Sequence, residues 1–244
     1  MSGRKDRSKR VKISVVVPAL NEEKNIARVI KIIKACTLVD EIIVVDNNST
    51  DSTNEIAKSL GVKTILCKKR GKGYAMEMGL KESTGSIVVF VDGDICNYKK
   101  GFIEDLVSPI LNQKADFVKS SFTREGGRVT ELVAKPLLEI AYPRLLKFDQ
   151  PLSGIIAGKK RLFEKITFDK DYGVDVGILI DVYNLKARIK EVNIGKIRND
   201  SQDWKALIKM AREVSYAIVK RVDSNRLLIL KNLENKKLKI KTTI

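Results

Sequence analysis

Ser86-Ile87-Val88-Val89-Phe90-Val91-Asp92-Gly93-Asp94-Ile95-Cys96 carries an apolar run straight into two aspartates separated by one glycine. An unbroken apolar run of this length suits a strand covered on both faces, the usual state in a parallel sheet. Carboxylates at its carboxyl end then sit in the crevice where open α/β sheets bind ligands. Closely spaced carboxylates repel, so the turn wants either a cation or open solvent. A solvated strand-ending turn reads the same way, and the rest of the chain has to decide.

Outward from this strand the first half alternates. KISVVVP (12–18), EIIVVD (41–46) and KTIL (63–66) read as strands. NEEKNIARVIKIIKA (21–35), STNEIAKSL (52–60) and GYAMEMGLKES (73–83) read as helices, the first with Ile26, Val29, Ile30 and Ile33 on one face. Asn21 is placed to cap that helix, with Glu22 and Glu23 at the positive end of its dipole. Ser52 and Glu55 have capping-box spacing. This βαβα order predicts an α/β fold, a mostly parallel, doubly wound sheet flanked by helices.

The second half is less regular. ADFVKSSF (115–122), GIIAGKK (154–160) and IKEVNIGKI (189–197) read as strands. TELVAKPLLEIAYPRLL (130–146) is helical up to or around its prolines, and GVDVGILIDVYNLK (173–186) and DWKALIKMAREVSYAIVKRV (203–222) are helical. Nothing between Ser86 and Lys220 resembles a flexible linker. The expectation is one domain over 11–222, in halves 11–97 and 98–222, with a basic arm at 1–10 and a basic tail at 223–244.

With 47 basic and 30 acidic residues the chain of 244 carries a formal charge of +17, which favours anionic partners. No apolar run is long enough to span a membrane and no signal-peptide pattern stands near the start, so a cytoplasmic protein is expected. Cys36, Cys67 and Cys96 are widely spaced and form no metal or redox motif, and Cys36 and Cys67 suit small buried hydrophobes. There is no histidine. Any metal must therefore be held by oxygen, pointing to Mg²⁺ or Mn²⁺ rather than zinc.

Polar residues collect where the early strands end: Pro18-Ala19-Leu20-Asn21-Glu22-Glu23, Asp46-Asn47-Asn48-Ser49-Thr50-Asp51, and Asp92-Gly93-Asp94. Between them CKKRGKGYAM (67–76) offers a flexible, basic, glycine-rich loop leading into a helix start, a natural phosphate site. Each cluster alone is ordinary turn chemistry. Together on one sheet edge they provide partners for a base, a ribose, a diphosphate and a metal.

VVVPALNEEKNIARVI, EIIVVDNNSTDST, GKGYAM and VVFVDGD resemble the GT-A nucleotide-sugar glycosyltransferases. FVKSSFTREGGRVTELVAKPLLEI and DYGVDVGILIDVY are similar to the retaining glucosyl-3-phosphoglycerate and mannosyl-3-phosphoglycerate synthases, with GGRVTELVAKPLL the more specific segment. The resemblance covers roughly Lys12 to Lys220. It implies a nucleotide-sugar-binding first half and an acceptor-binding second half. Pro18, Ala19, Leu20, Asn21 and Glu22 would border the nucleoside, and Asn48 would face the base. Lys72 would meet the nucleotide, and Asp92, Gly93 and Asp94 would form its metal turn, with Asp94 the direct ligand. Gly127, Arg128 and Thr130 would hold 3-phosphoglycerate, and Asp175 would lie near the sugar and the acceptor hydroxyl. Lys72, Asp94 and Asp175 are thus the implied catalytic group.

The sequence departs from that pattern at two places. A His-Arg-Asn segment usually supplies a further metal ligand, but here the region reads NIGKIRNDSQDW (193–204). One alignment sets Ile197 at the histidine and keeps Arg198 and Asn199; another sets Asn199 there. Water or the Asn199 oxygen then completes the coordination, with Asn199 also on the acceptor side. Asp175 is one methylene shorter than the usual glutamate. The resemblance leaves UDP or GDP, and glucose or mannose, open, and allows a homodimer. Two other readings compete: a polyprenyl-phosphate sugar transferase with its basic tail on acidic lipid, and a nucleic-acid-binding module driven by charge. GGRVTELVAKPLL argues against the first. The lack of a binding motif and an aromatic content of 6% argue against the second, so no nucleic-acid partner is expected.

Overall fold

The computed structural model describes residues 10–95, 97–123, 127–198 and 203–223. Residues 1–9 and 224–244, which hold nearly all of the expected arm and tail, lie outside them, as does Asn199. A seven-stranded sheet runs in the order β3-β2-β1-β4-β6-β5-β7. Its strands are β1 (Ile13–Ala19), β2 (Glu41–Asp46), β3 (Lys63–Leu66), β4 (Ile87–Phe90), β5 (Phe117–Thr123), β6 (Ile156–Lys159) and β7 (Ile189–Lys196). β1, β2, β3 and β4 are mutually parallel, as the alternating pattern predicts. β6 runs antiparallel to both β4 and β5 and joins the two halves of the chain, while β5 and β7 are parallel.

Strand alternation fills two cores, one per face. Val15, Val17, Val89 and Val91 meet α1 (Ile26–Lys34) and α4 (Phe102–Leu111), while Val16, Val88 and Phe90 meet Ala75, Met76 and Leu80 of α3 (Lys72–Glu82). The remaining α-helices are α2 (Thr53–Ser59), α5 (Lys135–Ala141), α6 (Lys160–Phe163), α7 (Val174–Asn184) and α8 (Trp204–Val219). α7 is buried nearly all round, and with α8 it covers the second face. Burying a Val or Ile side chain contributes about 1.5–3 kcal/mol, so these two cores fix the strand register and aim every early strand's carboxyl end at the same edge.

Several local expectations are corrected. α1 begins only at Ile26, and Asn21 does not cap it; Asn21 has φ 57° and its Oδ1 accepts from the Thr50 N–H at 2.8 Å. Glu23 does not serve the α1 dipole but accepts from the Ser52 N–H at 3.1 Å, tying the β1 and β2 loops. The Ser52–Glu55 capping box is not made; Asp51 Oδ1 takes the Thr53 N–H at 3.0 Å instead. The helix around Pro136 opens as a π-helical turn, Thr130–Ala134, before α5. Proline has no N–H and its ring crowds the carbonyl four residues back, and the wider turn accommodates both. α4, absent from the expected elements, carries Phe102, Ile103, Leu106, Val107 and Ile110 at helical spacing with Pro109 inside it.

Candidate active site

The carboxyl ends of β1, β2 and β4, the start of α3 and the start of α7 enclose a cavity of about 750 Å³. Pro18, Ala19, Leu20 and Glu22 form one wall, and Asp92, Gly93 and Asp94 the floor beside it. Gly127, Arg128 and Thr130 form the opposite wall, and Lys72 and Asp175 stand between the two. Asn21 and Asn48 are exposed, lie outside the wall, and both have positive φ.

The wall from β1 and β2 is held by its own hydrogen bonds. Asp46 Oδ1 accepts from the Ser49 N–H at 3.0 Å, and the Asn21 N–H donates to Ser49 Oγ at 3.0 Å. Asn47, which the sequence reading passed over for its neighbour Asn48, is buried and reaches into the glycine-rich loop. Its Nδ2 donates to the Lys69 carbonyl at 2.7 Å, and its Oδ1 accepts from the Gly71 N–H at 2.7 Å. Gly71 has φ 139°, a conformation open to glycine alone. The loop expected to be flexible is therefore pinned. From behind, the Gly73 N–H donates to the Lys170 carbonyl at 2.9 Å, and a Cβ on Gly73 would collide with the Asp169 carbonyl. Arg221, at the end of α8, holds Asp169 at 2.6 Å and Asp181 at 2.7 Å.

This scaffold delivers Lys72 as the first residue of α3. Its Nζ lies 2.8 Å from Asp92 Oδ1 and 2.8 Å from Asp175 Oδ2. Burial alone would lower the Lys72 pKa, but Asp175 and Asp92 outweigh it and hold the ammonium well above its ordinary range. Burial raises the Asp175 pKa, with Lys72 opposing. Asp175 lies in the first turn of α7, where the helix dipole favours its anion. Gly154 closes over this triad: a Cβ there would collide with Lys72 Nζ and stand 2.6 Å from Asp92 Oδ1. Tyr98 donates its hydroxyl to the Asp92 carbonyl at 2.9 Å and stacks on Phe102, fixing the turn.

The opposite wall is less self-contained. Thr130 Oγ1 and Asp175 Oδ1 are buried and have no hydrogen-bond partner among the described residues. Leaving a buried polar atom unpaired costs about 1–3 kcal/mol, so such atoms mark where a polar ligand belongs. Arg128 is exposed and makes no ion pair among the described residues. Lys119 of β5 lies under the floor, fully buried, its Nζ donating to the Ser153 carbonyl at 2.6 Å and the Asp175 carbonyl at 3.2 Å. In sequence Lys119 is one residue of the strand ADFVKSSF, and a lysine among its apolar neighbours is the local irregularity that marks it.

Residues 14–171 match the family described as Glycosyl transferase family 2. The chain belongs to that family. It is 35% identical over 272 aligned positions to the glucosyl-3-phosphoglycerate synthase of Petrotoga mobilis, covering 96% of this chain and 84% of that one. Against the glucosyl-3-phosphoglycerate synthase of Mycolicibacterium smegmatis it is 35% identical, covering 86% and 77%. The solved glucosyl-3-phosphoglycerate synthase from Mycobacterium tuberculosis in complex with Mn²⁺, UDP-glucose and phosphoglyceric acid matches with a TM-score of 0.82 at 38% identity, covering 88% of this chain and 81% of that one. A further match, the dolichol-phosphate mannosyltransferase of Pyrococcus furiosus, is 30% identical but covers only 64% of this chain and 48% of its own.

The family relation raises the question of a metal. Among the described residues no three His, Cys, Asp or Glu side chains gather as a metal cage. Asp92 is engaged by Lys72, and Asp94 brings a carboxylate to the cavity. A sparse, all-oxygen donor set fits Mg²⁺ or Mn²⁺, ions that take one or two carboxylates and complete their coordination with phosphate oxygens and water. No helix of the described residues is long and apolar enough to cross a membrane.

Proposed function

We propose that this chain is a glycosyltransferase that moves glucose from UDP-glucose to 3-phosphoglycerate, giving glucosyl-3-phosphoglycerate and UDP. The observation that carries the reading is the single cavity joining the Asp92-Gly93-Asp94 turn to the Gly127–Thr130 wall, with Lys72 and Asp175 between them. Relatives covering most of this chain bear the name of that activity, and the solved relative holds UDP-glucose and phosphoglyceric acid together.

On this reading Pro18, Ala19, Leu20, Asn21 and Glu22 border the nucleoside, with Asn48 toward the base. Asp94 would hold the metal, with water or Asn199, which lies outside the described residues, to complete its shell. Bound there, Mg²⁺ or Mn²⁺ supplies Lewis-acid neutralisation of the diphosphate. Lys72 adds a fixed positive charge at a helix start, where the leaving group's charge grows. Arg128 grips an oxyanion of 3-phosphoglycerate with its planar fork, and Gly127 and Thr130 complete that grip. Asp175 Oδ1 accepts a hydroxyl of the sugar or acceptor, satisfying its buried oxygen. The bond from glucose C1 to UDP breaks, a bond from C1 to the acceptor oxygen forms, and the acceptor's proton is released with UDP. The enzyme works in the cytoplasm and with retention at C1.

The test is a product screen. The protein is incubated with Mg²⁺ and UDP- or GDP-linked glucose or mannose, together with 3-phosphoglycerate or a polyprenyl phosphate in vesicles, and products are identified by mass. Glucosyl-3-phosphoglycerate formed from UDP-glucose is expected. Transfer only to polyprenyl phosphate, or none to 3-phosphoglycerate from any donor, overturns the reading.

A further inference from the structure

Lys119 is the buried cation that the scheme above leaves without a task. It lies on the inner face of β5, has no measurable exposure, and makes no salt bridge among the described residues. Two of its protons go to backbone carbonyls, those of Ser153 and Asp175. Those carbonyls belong to the two segments that close the triad: Ser153 precedes Gly154, which packs on Lys72 and Asp92, and Asp175 binds Lys72 directly. A buried charge without a partner ion is costly, and an apolar side chain of the same length would fill the space better. Packing therefore does not explain a lysine here. Electrostatics does.

We propose that Lys119 is a positioning residue of the transfer: from beneath the floor it anchors the Ser153 and Asp175 backbones and, with Lys72, keeps the Asp175 carboxylate ionised to receive the substrate hydroxyl. The inference rests on the glucosyl-transfer reading for its catalytic consequence. Burial and then Asp92 push Asp175 toward its protonated form, while Lys72 and Lys119 oppose them. The charged groups facing Lys119 are Asp175 on α7, Lys72 on α3, Asp92 after β4 and Glu191 on β7. Burial outweighs the three carboxylates and, with repulsion from Lys72, brings the Lys119 pKa down to about 8. The ammonium therefore loses its proton just above neutrality, leaving Lys72 as the remaining cation acting on Asp175.

Lys119→Met tests this. Its thermal midpoint should equal or exceed that of the wild type, and UDP affinity by calorimetry should stay within about threefold. On the acid limb, where Asp175 is mostly protonated, kcat should fall by about tenfold for each pK unit gained by Asp175, with a smaller loss at pH 7. The acid limb of the kcat profile should move to higher pH, and any alkaline step near pH 8 should vanish. Lys119→Gln, which keeps a donor for the carbonyls but no charge, should share the displaced acid limb. Wild-type kcat and pH profile in Lys119→Met, or full restoration by Lys119→Gln, overturns the charge role. A wild type that makes no glucosyl-3-phosphoglycerate counts against the functional reading instead. Should neither variant fold, the Asp175 carboxyl carbon, followed by NMR in the wild type, should show a second inflection near pH 8, and a flat trace there overturns the proposal.

Discussion

Where Asn21, Asp46, Asn47 and Asp51 lock the β1 and β2 loops and the glycine-rich loop to one another, Thr130 Oγ1 on the facing wall and Asp175 Oδ1 beside it have no partners among the described residues. The first region is complete before any ligand arrives. The second needs one to satisfy its buried oxygens. Such a division assigns preorganisation to the nucleotide side, where shape must be ready for a diphosphate, and lets the acceptor supply its share of hydrogen bonds on the other.

The largest effect is expected at the Asp92-Gly93-Asp94 turn on the cavity floor. Asp94→Ala should lower turnover by about 10³-fold while leaving circular dichroism unchanged, because a strand-end carboxylate that stabilises developing charge contributes little packing. Because the described residues build no carboxylate cage, Mn²⁺ followed by electron paramagnetic resonance should bind weakly to the protein alone and far more tightly with UDP present. Tight binding without nucleotide would reveal a preformed site.

Arg128→Ala should separate the walls. Losing a charged grip on the acceptor costs about 2–5 kcal/mol, read as a raised KM for 3-phosphoglycerate, while UDP affinity by calorimetry stays unchanged. Equal loss on both sides would mean that the walls are one cooperative unit.

Lys119 gives a stability signature with a defined sign. Its folded pKa, about 8, is below the ordinary 10.5. Below pH 8 both folded and unfolded chains carry the proton, and the cost of the buried charge is fully present. Between those values the unfolded chain binds more protons, so stability should rise with pH, by on the order of 3 kcal/mol in total. Urea titrations from pH 7 to 10 should show this rise in the wild type and not in Lys119→Met.

A smaller effect is expected at Asn47. Asn47→Ala strips the latch of the glycine-rich loop and should cost about 1–2 kcal/mol of stability, with a raised KM for the sugar nucleotide and an unaltered one for 3-phosphoglycerate. An acceptor effect of equal size would contradict the division between the walls.

Much of this architecture was legible because apolar runs such as Ile87–Val91 and the periodic Ile26, Val29, Ile30, Ile33 face carry their partners' geometry with them. The turn Asp92-Gly93-Asp94 could be named because it ends such an apolar run, whereas the loop at Arg128 was named only through the resemblance of GGRVTELVAKPLL to a known family. What escaped depends on tertiary contact. Lys119 and Ile156 are register partners only because β6 turns antiparallel between β4 and β5, an inversion no local pattern announces. Asn47 and Asn48 look alike in sequence, and only the fold of the loop buries one and exposes the other. Asn21 satisfied every rule for a helix cap, yet a neighbouring loop offered its side chain a better partner at Thr50.

The central claim is the transfer itself, and NMR of the reaction with UDP-glucose carbon-13 labelled at C1 tests it most directly. With 3-phosphoglycerate and Mg²⁺ the labelled anomeric carbon should move from UDP to the one free hydroxyl of the acceptor, keeping its α configuration. Persistence of the UDP-glucose signal, or its conversion to free glucose alone, would contradict the account.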